Sequence, residues 1–101
     1  MKPLKYFLIF FLLMSLTTLQ AQRNFDDVEI RAEQVSDQIY VLFGAGGNIG
    51  LAIGDDAAYL IDDQYAPLTE RIVAAVQKIT DKPIKFLVNT HWHGDHTGGN
   101  D

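Results

Sequence analysis

Cysteine is absent from the 101-residue chain. That excludes disulfides and thiolate metal sites, so any bound metal must rest on nitrogen and oxygen donors. Positive charge is scarce as well: eight Lys and Arg face thirteen Asp and Glu, for a net charge of −5. No basic patch exists, and nucleic acid is excluded as a partner class. No apolar run reaches the roughly 20 residues that a bilayer-spanning helix needs. Histidine occurs only three times, and all three fall within six residues.

The longest apolar run lies at the start. Met1-Lys2-Pro3-Leu4-Lys5 is short and basic. Residues 6–13 are unbroken apolar sequence, weakening through Ser15, Thr17 and Thr18 towards a small residue at Ala21. A charged start, a short apolar stretch and a small residue are the parts of a secretory signal. Residues 1–21 are read as a signal peptide, cut after Ala21 or Gln22, and residues 22–101 as the mature segment. Its loss removes Lys2 and Lys5 and leaves six basic against thirteen acidic side chains, a net charge of −7. The expected location is periplasmic or secreted, with no stable membrane anchor after cleavage.

The mature segment reads first as strands. Residues 28–35 alternate in apolar character, as an edge strand does, and Ser36-Asp37 turns the chain. Residues 38–43 are rich in strand formers. Residues 44–48, Gly-Ala-Gly-Gly-Asn, form a loop. Residues 49–53 and 57–61 are short apolar runs on either side of Gly54-Asp55-Asp56, a hairpin turn. The period then changes. Leu68, Ile72, Ala75, Val76 and Ile79 recur at steps of three and four, one apolar face of a helix that begins near Pro67 and ends at Asp81-Lys82-Pro83. Residues 84–88 then form a strand whose far side is also mostly apolar and which reads as buried. The fold class is α/β: strands, one helix, then a buried strand leading directly to the histidines. Ligand sites in such sheets lie at the C-terminal ends of strands.

The cluster is His91-Trp92-His93-Gly94-Asp95-His96. Residues two apart on extended backbone share a side, so His91 and His93 can reach one ion. Gly94 permits a turn, after which Asp95 and His96 can face a second. Imidazole nitrogen and carboxylate oxygen both suit zinc. The following Thr97-Gly98-Gly99-Asn100 is small and polar and lets backbone pack closely behind the ligands. Trp92 reads as a wall or packing residue.

Thr90-His91-Trp92-His93-Gly94-Asp95-His96 with Thr97-Gly98-Gly99-Asn100 resembles the signature of the metallo-β-lactamase superfamily. Gly46-Gly47-Asn48, the strand ending Leu60-Ile61-Asp62, the helix from Pro67 and the strand 84–88 appear in the family's order, so the resemblance covers residues 36–101. It implies the first half of an αββα sandwich. It implies His91 and His93 on a first zinc, Asp95 and His96 on a second, and Asp62 as a brace behind the metal loop that fixes ligand orientation. Asp95 would also orient the nucleophile and carry a proton to the leaving group. The implied activity is hydrolysis of an ester, amide, lactam or related bond in a small-molecule substrate, by hydroxide formed on the zinc.

The family's remaining ligands, a third histidine, a bridging carboxylate and a final histidine, lie further along its sequence. The chain is therefore expected to be an N-terminal part that is inactive without its missing C-terminal half. Two other readings stand beside the zinc hydrolase. One is an iron-dependent sulfur oxidoreductase of the same fold. The other is a non-catalytic envelope protein that only binds metal.

Overall fold

Alternating apolar residues can bury one side of a sheet only if something covers that side, and here a single helix does so. The computed structural model describes residues 24–101, so the signal-peptide reading of residues 1–21 lies outside the described residues. Five strands follow one another in space as in sequence: β1 (Arg31–Ser36), β2 (Ile39–Phe43), β3 (Ile49–Ile53), β4 (Ala58–Ile61) and β5 (Ile84–Val88). The first four pair antiparallel, and β5 joins β4 in parallel. A parallel neighbour requires a crossover. It is supplied by a 3-10 turn (Ala66–Leu68) and helix α1 (Thr69–Ile79).

Strand side chains alternate between faces, and the register aligns Leu42 with Ile49 and Leu51 with Leu60 across neighbouring strands. Together with Ala58 they meet Leu68, Ile72 and Val76 of the crossover in one buried cluster. The helical stripe expected from the sequence supplies those three residues at steps of four. Pro67 does not start the α-helix directly. It sits in the 3-10 turn that precedes it. Glu70 in the first turn and Lys78 in the last suit the helix dipole. Arg71 donates to the carbonyl oxygens of Phe25 and Val28, which straps the N-terminal segment to the helix.

Two expectations change. The first strand begins at Arg31, not Val28, because Val28 and Ile30 leave the sheet to pack against the core cluster. Strand β5 is the sheet's other edge and is not buried: Phe86 is 51% and Val88 59% exposed. Its apolarity reflects the face opposite the helix. Ile39, Tyr59, Phe86 and Val88 all lie exposed there, with Tyr59 stacked on Phe86 at 4.8 Å. Nothing among the described residues covers that face. No helix among the described residues is long and apolar enough to cross a membrane.

The packing gives a direct test. Ile72→Ala removes a buried contact between helix and sheet and is expected to cost about 2–5 kcal/mol of unfolding free energy. Val35→Ala, on the exposed edge strand, should change it by less than about 0.5 kcal/mol. Chemical denaturation followed by circular dichroism measures both.

Candidate metal centre

Two chain segments meet beyond the C-terminal ends of the parallel strands. One is the turn after β4, where Asp62, Asp63 and Gln64 are all buried. The other is the metal loop, residues 89–100, which follows β5 and contains the short helix α2 (Gly94–Thr97). The Asp62 N–H donates to Val88 O (2.8 Å) and so extends the ladder between β4 and β5 by one step. The Asp63 N–H donates to His96 O (3.1 Å), and Asn89 reaches the same carbonyl at 3.0 Å. The histidine loop is thereby docked on the acidic turn through backbone.

A buried carboxylate must be satisfied by donors, and Asp62 is. Its Oδ1 accepts the Thr90 N–H (2.7 Å), and its Oδ2 accepts the Thr90 hydroxyl (2.7 Å). The Nδ1 of His96 lies 2.7 Å from Oδ2. Burial alone pushes this carboxyl up, but the Thr90 and His96 hydrogen bonds and the His96 charge outweigh it and hold Asp62 below the ordinary aspartate range. With the carboxylate ionised, a neutral His96 carries its proton on Nδ1 and leaves the Nε2 lone pair for a metal. Thr90 extends the arrangement. Its hydroxyl gives its hydrogen to Asp62, so the Nδ1 of His91, 2.8 Å away, must donate to it. His91 is therefore also left with Nε2 free. One carboxylate thus sets the tautomer of two imidazoles, one directly and one through a threonine.

His91 sits between the other two histidines, with ring centroids 4.7 Å from His93 and 4.0 Å from His96. Asp95 Oδ2 lies 3.6 Å from His96 Nε2. Two donors on one tetrahedral zinc, with bonds of ~2.0–2.1 Å, stand ~3.3 Å apart. Asp95 and His96 are thus spaced as a ligand pair. One donor atom each from Asp62, His91 and His96 also lie within 4.8 Å of one another. The oxygens of Asp62 already accept three hydrogen bonds from Thr90 and His96, which suits that carboxylate to bracing the loop. His93 caps α2: its carbonyl accepts the N–H groups of His96 (2.9 Å) and Thr97 (3.2 Å) and the Thr97 hydroxyl (3.2 Å). His91 and His93 are exposed, while Asp95 and His96 are half-buried. The residues present fit a metal held by imidazole nitrogens and one carboxylate.

The glycines divide unexpectedly. Gly94 is not needed for the turn on steric grounds, since a side chain there would meet open space. Gly98 is needed, and Gly99 is closely packed. A Cβ on Gly98 would lie 2.6 Å from Gln64 O, and one on Gly99 3.0 Å from Asp63 Cγ. This is the close packing behind the ligands that the small residues foreshadow. Asp63 accepts the Gly99 N–H at 3.3 Å. Burial, together with the adjacent Asp62 charge and against that hydrogen bond, pushes Asp63 up. The sequence pattern assigns Thr90, Asp63 and Gln64 no role. For Asp63 and Gln64 the available signal was the polar run Asp62-Asp63-Gln64 placed directly after an apolar strand. Trp92 is 81% exposed, with its ring 4.5 Å from His93.

A sequence profile of the metallo-beta-lactamase superfamily matches residues 42–101. The chain belongs to that superfamily. A curated relative, the beta-lactamase-like protein 2 homolog of Caenorhabditis elegans, is 29% identical over 79 residues, which cover 68% of this chain and 27% of the relative. The DIM-1 metallo-beta-lactamase superposes with a TM-score of 0.60 at 28% identity, over 72% of this chain and 37% of that one. The FEZ-1 metallo-beta-lactamase of Legionella gormanii, crystallised as a point mutant, shares the fold with a TM-score of 0.65 at 19% identity, over 76% of this chain and 30% of that one. The chain thus spans between 27% and 37% of the length of these superfamily relatives.

Asp62→Asn tests the brace. The amide cannot accept all three hydrogen bonds, and zinc affinity should fall about 10–100-fold, read by competition with a chromophoric chelator. The metal-free protein adds a pH signature. The folded state holds the Asp62 carboxyl below its ordinary value of 3.8, so its stabilisation is present above that pH and lost as pH falls through the lowered folded value. The stability gap between parent and Asp62→Asn should therefore narrow with acidification below about pH 3.8, as measured by denaturant titrations across that range.

Proposed function

We propose that the full-length protein is an exported hydrolase that uses two zinc ions. The observation that carries this reading is the carboxylate-braced His96, with its free Nε2 3.6 Å from Asp95 and its ring 4.0 Å from His91. That is a set of oriented nitrogen and oxygen donors at the end of a parallel strand. His91 and His93 are assigned to one ion, and Asp95 and His96 to the other. Zinc supplies Lewis acidity towards a carbonyl or phosphoryl oxygen and water activation near neutral pH.

The chain's own residues do the rest. Asp62 and Thr90 keep His91 and His96 in one tautomer and one orientation, so little reorganisation is required when charge develops at the centre. Asp95 is half-buried beside His96. It orients the attacking water and carries a proton towards the leaving group. The substrate is a small molecule with an ester, amide, lactam or related bond. Trp92, exposed beside His93, offers an apolar wall to it. The apolar sheet face bearing Tyr59, Phe86 and Val88 is assigned to packing with the remainder of the αββα domain, which also contributes the remaining metal ligands.

His93→Ala in the full-length protein is expected to lower bound zinc by about one ion per chain and to cut hydrolysis of a β-lactam, thioester and lactone panel by about 100-fold or more. Elemental analysis and steady-state kinetics read the two outcomes. Iron instead of zinc, with oxygen consumed during turnover, would replace this reading by the sulfur oxidoreductase. Unchanged activity with altered stability would leave a metal binder. Export has its own test. Mass spectrometry of protein recovered outside the cytoplasm should find a mature N-terminus at Gln22 or Arg23.

A further inference from the structure

The turn after β4 contains a residue that the metal chemistry leaves unexplained. Gln64 is fully buried, yet its backbone lies in the left-handed region at φ +56°, two residues from Asp62 at φ +66°. Positions of this kind persist in non-glycine residues where the surrounding contacts determine them. Here the contacts are specific. Gln64 Oε1 accepts the Ala45 N–H (3.2 Å), and Gln64 Nε2 donates to Gly47 O (2.6 Å). A single amide therefore clamps both legs of the glycine loop, residues 44–48, which connects β2 to β3. The loop lies close against it: a Cβ on Gly44 would stand 2.6 Å from Gln64 Oε1.

The same loop presses on the metal centre. A Cβ on Gly46, itself at φ +77°, would lie 2.7 Å from Asp95 Cβ and 3.2 Å from Asp95 Oδ2. A Cβ on Gly47 would lie 2.3 Å from His96 Cε1 and 2.4 Å from His96 Nε2. The nearest atoms to these two glycines belong to Asp95, His96 and Tyr65. The loop therefore walls one side of the Asp95 and His96 pair. It also limits where the free Nε2 of His96 can point. Gln64 reaches the other end of the metal loop too, since its carbonyl oxygen lies 2.6 Å from where a Cβ on Gly98 would be.

We propose that Gln64 is a positioning residue that clamps the glycine loop against Asp95 and His96 and thereby sets how tightly that pair holds its ion. The proposal rests on the two-ion reading only for its metal arm. A buried glutamine that merely filled space would lower stability when replaced and would affect both ligand pairs alike. A clamp on this loop acts on one pair.

Gln64→Asn in the full-length protein separates the two. Asparagine tolerates the left-handed backbone but is one methylene too short to reach both Ala45 and Gly47. In the metal-free protein, side-chain nitrogen NMR should show the His96 ring signals displaced, with those of His91 and His93 in place. In zinc titration against a chelator, one of the two equivalents should weaken about 10–100-fold and the other should not change. Where the Asn variant does not fold, Gln64→Glu keeps the acceptor for Ala45, loses the donor to Gly47, and should give the same pattern. The proposal is overturned if His96 stays in place while only the melting temperature falls. It is equally overturned if all three histidines shift and both equivalents weaken together. If the parent protein binds a single ion, the two-ion reading fails, and the His96 signal of the metal-free variant still decides the role of Gln64.

Discussion

The centre depends on the satisfaction of one buried carboxylate. Asp62 is placed where water does not reach it, and three donors within 2.7 Å compensate for the lost hydration. Those donors are the residues that must be fixed if a metal is to be bound: His96 directly, and His91 through the Thr90 hydroxyl. The cost of burying a charge is thereby tied to ligand orientation. If the loop moved, the carboxylate would lose its partners. If the carboxylate were lost, the imidazoles would lose their preferred tautomer. The depressed proton affinity of Asp62 is the electrostatic trace of the same coupling.

The scaffold makes this coupling stiff. Strands β4 and β5 are parallel neighbours, so their C-terminal ends lie side by side, and the acidic turn after one meets the metal loop after the other. The ladder continues into the site through Asp62 N–H and Val88 O. Helix α1 forces this arrangement because a parallel pair needs a crossover, and the crossover is secured by the Leu68, Ile72 and Val76 stripe. Backbone strain is concentrated in the same turn, at Asp62 and Gln64. The polar side chains of that turn are aimed at the two loops that border the centre.

Much of the fold is legible in the sequence because periodicity is a local property. Strands β3 and β5 fall at the positions that their apolar runs indicate, β2 and β4 begin one residue later, and α1 presents its stripe to the sheet. The failures are also physical. The mostly apolar far side of residues 84–88 suggests burial, but an edge strand is buried only if another layer packs on it, and the described residues supply none on that face. The glycine at 94 looks like the hinge of the cluster. The steric demands instead lie at Gly46, Gly47, Gly98 and Gly99, where other segments approach. Close approach between distant parts of the chain leaves no local mark at the glycine itself.

The sequence by itself determined which donor types are available. It provided three histidines and an aspartate within six residues, no thiolate, and a strand delivering them to the end of a sheet. Spacing and composition suffice for that because ligand identity is a property of residue types. Only the tertiary structure decided which imidazole nitrogens are free, that Thr90 links His91 to Asp62, and that Gln64 ties the glycine loop to the acidic turn. Each of these rests on hydrogen bonds, many of them between residues 17 to 34 positions apart. The Gln64 bonds exist only once β3 and β4 have paired, and the Asp62 bonds only once α1 has brought β5 beside β4.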